Sequence, residues 1–308
     1  MKIRLLVVLL SLGFAQGQHP DLQGIWTNAT ITPLERLPQF AGKATVSDAE
    51  AARFEKQNNA QLYGDARSSS AEQDRDHAYN ALFFDRGTEL ARVDGQKRTS
   101  LIISPEDGKI PPLTPEGKKR LATRARTVAR FDSVKDRPLG ERCLLGFGST
   151  SGPPMLPVLY NNNYQIVQTP DAIVILVEMV HDARVIHMDG RPHLPSSVRL
   201  WLGDSIGHWD GATLVVDTSN FTDKTSFRGS SPDLHVVERF TPIDAGTILY
   251  RVTLDDPSSF TKSFTLEYPF LATKGPIYEY ACHEGNYAMT DILGGARKQE
   301  KEAEVSKK

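Results

Sequence analysis

Residues 234–254 read LHVVERFTPIDAGTILYRVTL, and this stretch decides the fold class. Side chains alternate sides along a strand, so Leu234, Val236, Glu238 and Phe240 share one face while His235, Val237 and Arg239 share the other. Asp244-Ala-Gly246 then supplies the backbone freedom of a tight turn, and Thr247 to Leu254 alternates again. Two amphipathic strands joined by a short turn make an antiparallel hairpin. The same grammar continues outward in both directions. Upstream lie Tyr164 to Gln168, Ala172 to Val180, Ala183 to His187, Val198 to Leu202, Ile206 to Trp209 and Leu214 to Asp217. Downstream lie Phe264 to Tyr268 and Ile277 to Cys282, and turns fall at Thr169-Pro-Asp171, Asp189-Gly190 and Asp210-Gly211. No helices of crossover length separate these strands, which argues against an α/β fold. The pattern predicts a mainly β domain, an antiparallel meander closed as a lipocalin-like barrel or folded as a sandwich.

Glu238 shares an otherwise apolar face, and Glu178 lies in line with Val174, Leu176 and Val180 on a strand that is apolar on both sides. A carboxylate among such neighbours loses its hydration, so it is either paired or pushed toward the general-acid range. Arg184, Arg199, Arg239 and Arg251 are the available partners. Residues 178–209, EMVHDARVIHMDGRPHLPSSVRLWLGDSIGHW, hold half of the chain's 8 histidines.

Two chemistries use this region. In the first, Tyr164, Trp201, Trp209, Tyr278 and Tyr280 line a pocket for a small, partly apolar molecule, with Glu178, Arg184 and His187 fixing its polar groups. Glu238 and Arg239 add polar wall to the same pocket. In the second, an isomerase, lyase or hydrolase without a cofactor uses Glu178, His181 and Asp182 for proton transfer and Arg184 or Arg239 to hold an anionic oxygen. His187 and His193 flank the Asp189-Gly190 turn and are expected to converge at a hairpin mouth, with His283 or Glu284 beside them. These spacings lack the H-x-H or H-E-x-x-H form of a metal site, and no metal or cofactor is expected. Gly203-Asp-Ser-Ile-Gly207 places its serine one position late for a nucleophile elbow. The Gly/Ser/Pro-rich loop after Cys143 lacks the Lys-Ser/Thr ending of a phosphate cradle.

The flanks set the context. Met1-Lys-Ile-Arg4, the apolar run Leu5 to Phe14 and Ala15-Gln-Gly17 form the three parts of a secretory leader over residues 1–17. The mature chain is then expected in the periplasm or secreted, with no membrane attachment after cleavage. The composition is 39% hydrophobic and 24% charged with a formal net charge of −2, which gives no footprint for nucleic acid. Only 2 cysteines occur, and in an oxidising compartment Cys143 and Cys282 are expected to pair; the alternative is a free Cys282 thiol acting beside His283 and Glu284.

Residues 18–31 carry the first barrel strand, and residues 32–142 read as a helical and loop region packed on the barrel. Within it, Ser47-Asp-Ala-Glu50 is a capping box ahead of a helix to Leu62, and Thr114-Pro-Glu116 starts a second helix running to about Phe131. The second helix carries Lys118, Lys119, Arg120, Arg124, Arg126 and Arg130, which read as a solvated face. Asp65 to Asp76 reads as a polar loop. Residues 143–297 form the antiparallel β domain with a terminal helix, and 298–308 read as a disordered tail.

The chain resembles a group of exported bacterial proteins through the words PDLQGIWTN, TPLER, EMVHDAR, the tryptophan-glycine run from Trp201 to Thr218 and YEYACHEGNYAM. That resemblance implies export but brings no activity, cofactor or ligand with it. Gly24-Ile-Trp26 is similar to the G-x-W that opens the first strand of lipocalin-like barrels, where the tryptophan plugs the floor.

Overall fold

The computed structural model describes residues 19–63, 70, 84–225 and 227–306. The leader and nearly all of the polar loop 65–76 lie outside them. The hairpin of residues 234–254 is present as β11 (His235–Asp244) and β12 (Thr247–Asp255), in one register from His235 opposite Asp255 to Pro242 opposite Ile248, with a bulge before Asp244 pairs with Thr247. Around it stand β1 (Gly24–Thr27), β6 (Asn163–Gln168), β7 (Ala172–Val177), β8 (Ala183–His187), β9 (Asp204–Asp210), β10 (Thr213–Ser219) and β13 (Phe264–Thr273). Each pairs with the next, and β1 pairs with both β6 and β13, so nine strands close into a barrel with no free edge. Trp26 sits opposite Tyr164 on one side and Ala272 on the other, and it is buried.

The barrel is mixed rather than wholly antiparallel. β8 and β9 run parallel, Ile186 beside Ser205 and His187 beside Ile206. Residues 188–203 are therefore a crossing connection and not a hairpin. Val198 to Leu202, expected as a strand, is irregular, with an isolated bridge from Leu200 to Phe221 outside the sheet. Ile277 to Cys282 is likewise not a strand. The strand expected to reach Val180 stops at Val177, because Val180 and His181 take left-handed φ values of 64° and 54° in the reversal to β8.

The described residues between 32 and 142 wrap the outside. A small sheet of β2 (Thr45–Val46), β4 (Gln96–Arg98) and β3 (Arg92–Val93) packs with α1 (Asp48–Tyr63) around a satellite core of Ile31, Phe40, Val46, Ala51 and Leu90. The capping box is formed: Ser47 Oγ accepts from the Glu50 amide and the Glu50 carboxylate accepts from the Ser47 amide. Lys43 and these bonds hold the Glu50 pKa down at about 2. β5 (Ile102–Ser104) adds to β13 as a tenth strand.

α2 (Pro115–Val128) is capped by Thr114, whose Oγ1 accepts from the Gly117 amide. Gly117 is needed there: a Cβ would come within 2.5 Å of the Ser259 carbonyl oxygen, so the helix rides directly on the turn between β12 and β13. α3 (Ala288–Val305) continues helical through residues expected to be a disordered tail, with charged residues at three- and four-residue spacing along it.

The disulfide Cys143–Cys282 is formed, which leaves no free thiol at Cys282. No helix among the described residues is long and apolar enough to cross a membrane.

Candidate functional site

The alternation expected for β11 holds: Leu234, Val236, Glu238 and Phe240 are buried and His235, Val237 and Arg239 are partly open. Glu238 faces the barrel interior at 0% exposure and is paired with Arg184 of β8 at 2%. The guanidinium holds both carboxylate oxygens and also donates to Ser205 Oγ at 3.1 Å and Thr218 Oγ1 at 3.0 Å, while Tyr250 OH donates to Glu238 Oε1 at 2.8 Å. Burial works against the Arg184 charge, but the field of Glu238 and its hydrogen bond outweigh it and raise the pKa. Of the options left open by the sequence, Glu238 is thus in a buried ion pair, its partner Arg184.

The rest of the interior is filled. Tyr164, Phe240, Tyr250, Tyr268 and Phe270 stack and cross with centroid separations of 5.0–6.4 Å. Above them the segment Thr150 to Leu156 enters the barrel end as a plug. Tyr268 OH donates to the Met155 carbonyl at 2.7 Å, Tyr164 OH donates to the Thr150 carbonyl at 3.1 Å, and the Met155 amide donates to Tyr250 OH at 3.3 Å. Burial raises the pKa of all three phenols, so they stay protonated donors. Tyr164, expected to line a ligand pocket, instead holds the plug.

Glu178, His181 and Asp182 lie in the reversal between β7 and β8, and none of them bonds Arg184, whose partners are Ser205, Thr218 and Glu238. Glu178 accepts from the Tyr278 amide and from Asn163 Nδ2, both at 2.9 Å, and His181 Nε2 donates to the Tyr278 carbonyl at 3.1 Å. The two side chains thus clamp one residue of the irregular segment that the disulfide also anchors. Asp182 accepts from Ser151 Oγ at 2.8 Å, and burial raises its pKa. Each candidate for proton transfer is engaged in holding backbone or the plug loop.

The histidines do not converge as expected, because the chain crosses over between β8 and β9. His193 spans two carboxylates, Asp204 Oδ2 at 3.1 Å and Asp217 Oδ1 at 2.9 Å, and His235 donates to the other Asp217 oxygen at 2.7 Å. Arg191 also pairs with Asp204, whose pKa falls to about 2 as that bond, the Leu194 amide and His193 outweigh burial. His187 takes no part, and His283 and Glu284 are exposed. Among the described residues no group of three or more His, Cys, Asp or Glu is placed to hold a metal ion.

The Asp217–His235 contact predicts a pH dependence. Its hydrogen bond raises the His235 pKa and lowers that of Asp217, with burial opposing both shifts. The histidine's contribution is complete below its unfolded value of ~6.5 and is lost as pH rises through the raised folded value; the aspartate's is complete above ~3.9 and is lost as pH falls through the lowered one. Stability from this contact is therefore greatest between about pH 4 and 6.5. His235→Asn should flatten the alkaline limb of a Tm against pH curve by under about 1 kcal/mol, because solvent screens both groups. A limb unchanged by the substitution would remove the contact from the account.

One of several concave surfaces on the described residues lies at the plugged end; others lie beside Arg36 and beside Thr30. A recess of about 340 Å³ opens between the loop 138–156 and residues 201–202 and 221–234. Leu139, Leu145, Leu156, Phe221, Phe227 and Leu234 form its buried apolar wall, and Trp201 and Phe147 stand at its edge, each 39% exposed. It adjoins a larger cleft of about 670 Å³ under α2, and the two share Arg124, Pro138, Leu139 and Lys224. Arg120 and Arg124, read from the sequence as solvated, turn toward these walls: Arg120 donates to the Gly229 carbonyl and to the Ser258 and Ser259 hydroxyls, and Arg124 to the Lys224 carbonyl at 2.7 Å.

Of the expected pocket residues, Trp201 alone lines this recess. Trp209 stacks on His19 at 4.8 Å, Arg239 pairs with Asp210 on the barrel exterior, Tyr278 is exposed, and Tyr280 lies half-buried beside Tyr160. The apolar wall of the recess was hidden from the sequence because it comes from two irregular stretches, one holding Leu139, Leu145 and Leu156 and the other Phe221 and Phe227, that only the fold brings together. For the adjoining cleft the available signal was the four-residue spacing of Arg120 and Arg124, which puts both on one helix stripe. No family model matches the chain, and no curated protein or solved structure shows significant similarity to it.

Proposed function

We propose that the protein is an exported barrel that binds a small, partly apolar molecule at its plugged mouth and not within the barrel. The observation that carries this is the contrast between an interior filled by its own rings and the Met155 plug and an adjoining apolar recess of about 340 Å³, within the range of small-molecule sites. Trp201 and Phe147, half-open at its edge, supply flat apolar surface for a ring or chain to lie against. The disulfide and the leader-like residues 1–17 support an oxidising compartment outside the cytoplasm. An acid/base enzyme built on Glu178, His181, Asp182 and Arg184 draws less support, because Glu178 and His181 hold Tyr278, Asp182 holds Ser151 and Arg184 is paired with Glu238.

The neutral fluorescent probe N-phenyl-1-naphthylamine tests this reading. It should bind the mature chain saturably at one site, and Trp201→Ala should weaken it about tenfold, or ~1.4 kcal/mol. Trp209→Ala should leave it unchanged. Absence of saturable binding, or equal losses in the two variants, would refute the recess.

A further inference from the structure

The cleft under α2 differs in chemistry from the recess it adjoins. Its walls carry seven basic and three acidic side chains. Some of these already neutralise each other or a neighbour: Arg137 is paired with Glu141, and Asp136 with Arg130. What is left is Lys119, Arg120, Arg124, Lys135, Arg142 and Lys224 against Glu116 and Asp223. None of those six has a carboxylate within ion-pair distance among the described residues, and the bonds that Arg120 and Arg124 do make go to carbonyl and hydroxyl oxygens. Burial depresses the Arg124 pKa, and Asp223, which lines the same cleft, opposes it only in part. A half-buried guanidinium with no carboxylate in ion-pair contact costs free energy that an anion in the cleft would return.

Resting on the binding function proposed above, we infer that this cleft takes a tetrahedral dianion of phosphate type, so that the ligand is a small amphipathic phosphate ester with its apolar part in the recess. The residual excess of cations is four, which a single carboxylate would leave largely uncompensated. Arginine's planar donor fork suits two oxygens of a phosphate, and lysines add point charge around it. Arg124 and Lys224 belong to both walls and sit where head and tail would join. The chain's overall charge of −2 offers an extended polyanion no net attraction, which favours a small anion.

Calorimetric titration of the mature chain with three probes tests the inference. Phenylphosphonate at about pH 8.5 is a dianion with a ring, benzenesulfonate has the same ring and one charge, and inorganic phosphate has the charge without the ring. Phenylphosphonate should bind at least about tenfold more tightly than benzenesulfonate, and its affinity should fall as salt is added. Arg124→Gln and Arg142→Gln should each weaken it about tenfold. Arg142 and Lys119 lie outside the recess wall, so Arg142→Gln and Lys119→Gln should leave N-phenyl-1-naphthylamine binding intact. If Arg124→Gln fails to fold, Arg142→Gln and Lys224→Gln carry the same test. Tighter binding of inorganic phosphate than of phenylphosphonate would keep the anion site and refute the ester. Phenylphosphonate binding no better than benzenesulfonate, or indifferent to all three substitutions, would overturn the inference. Loss of the neutral probe's site with retention of an Arg142-dependent phosphonate site would refute the recess alone.

Discussion

Arg184→Ala should destabilise the barrel by about 3–5 kcal/mol, the usual cost of leaving one member of a buried ion pair without the other. The cost falls on Glu238, which is fully buried and would keep only Tyr250 as a donor. Glu238→Ala should cost about as much for the reciprocal reason, since the guanidinium would keep only the Ser205 and Thr218 hydroxyls. The double variant Arg184→Met with Glu238→Leu should recover most of either loss. The hydroxyls it abandons still have partners: Ser205 and Thr218 lie 2.9 Å apart, and Tyr250 OH accepts from the Met155 amide. Urea unfolding midpoints measure all three variants. A double variant as unstable as the two singles combined would mean that the pair does more than neutralise itself.

Removing the disulfide should be the second large effect. Cys143 and Cys282 are 139 residues apart, and in the chain-entropy model closing so long a loop is worth about 4–5 kcal/mol. The bond spans β6 to β13, so every barrel strand except β1 lies inside the loop it closes. In the folded chain it joins the loop leading to the plug to the irregular segment after β13, whose Tyr278 is otherwise held by Glu178 and His181. Cys143→Ser with Cys282→Ser should therefore lower the unfolding midpoint and also expose residues 276–284 to hydrogen exchange in the native state. Stability equal to the parent under oxidising conditions would show that the unfolded chain gains nothing from release of the crosslink.

How much of this was legible follows from which forces act locally. The β11–β12 hairpin could be read because alternation and turn residues agree on both strands, and the burial of Glu238 followed from its apolar neighbours. Val198 to Leu202 misled for the same reason: V-R-L-W-L alternates, yet Val198, Leu200 and Trp201 stay exposed in a connection bounded by Pro195 and by Gly203 at φ 74°. Alternation reports that a segment could pair, not that a partner edge is free. The parallel β8–β9 contact is a property of the closed ring, and no residue between His187 and Asp204 announces it. Glu178 read as buried and is buried, but its role depends on Tyr278, a hundred positions away. The filled interior was equally hidden, since it depends on where the Thr150 to Leu156 segment lands.

The central claim is that the barrel interior is occupied by the protein itself and that ligand lies at the mouth. A crystal of the mature chain soaked with 1-bromonaphthalene tests it through the anomalous signal of the bromine. The account predicts a single peak against Trp201 and Phe227, with the Met155 plug and the Arg184–Glu238 pair undisturbed. A peak inside the barrel beside Tyr250 and Phe270, with the plug displaced, would contradict it.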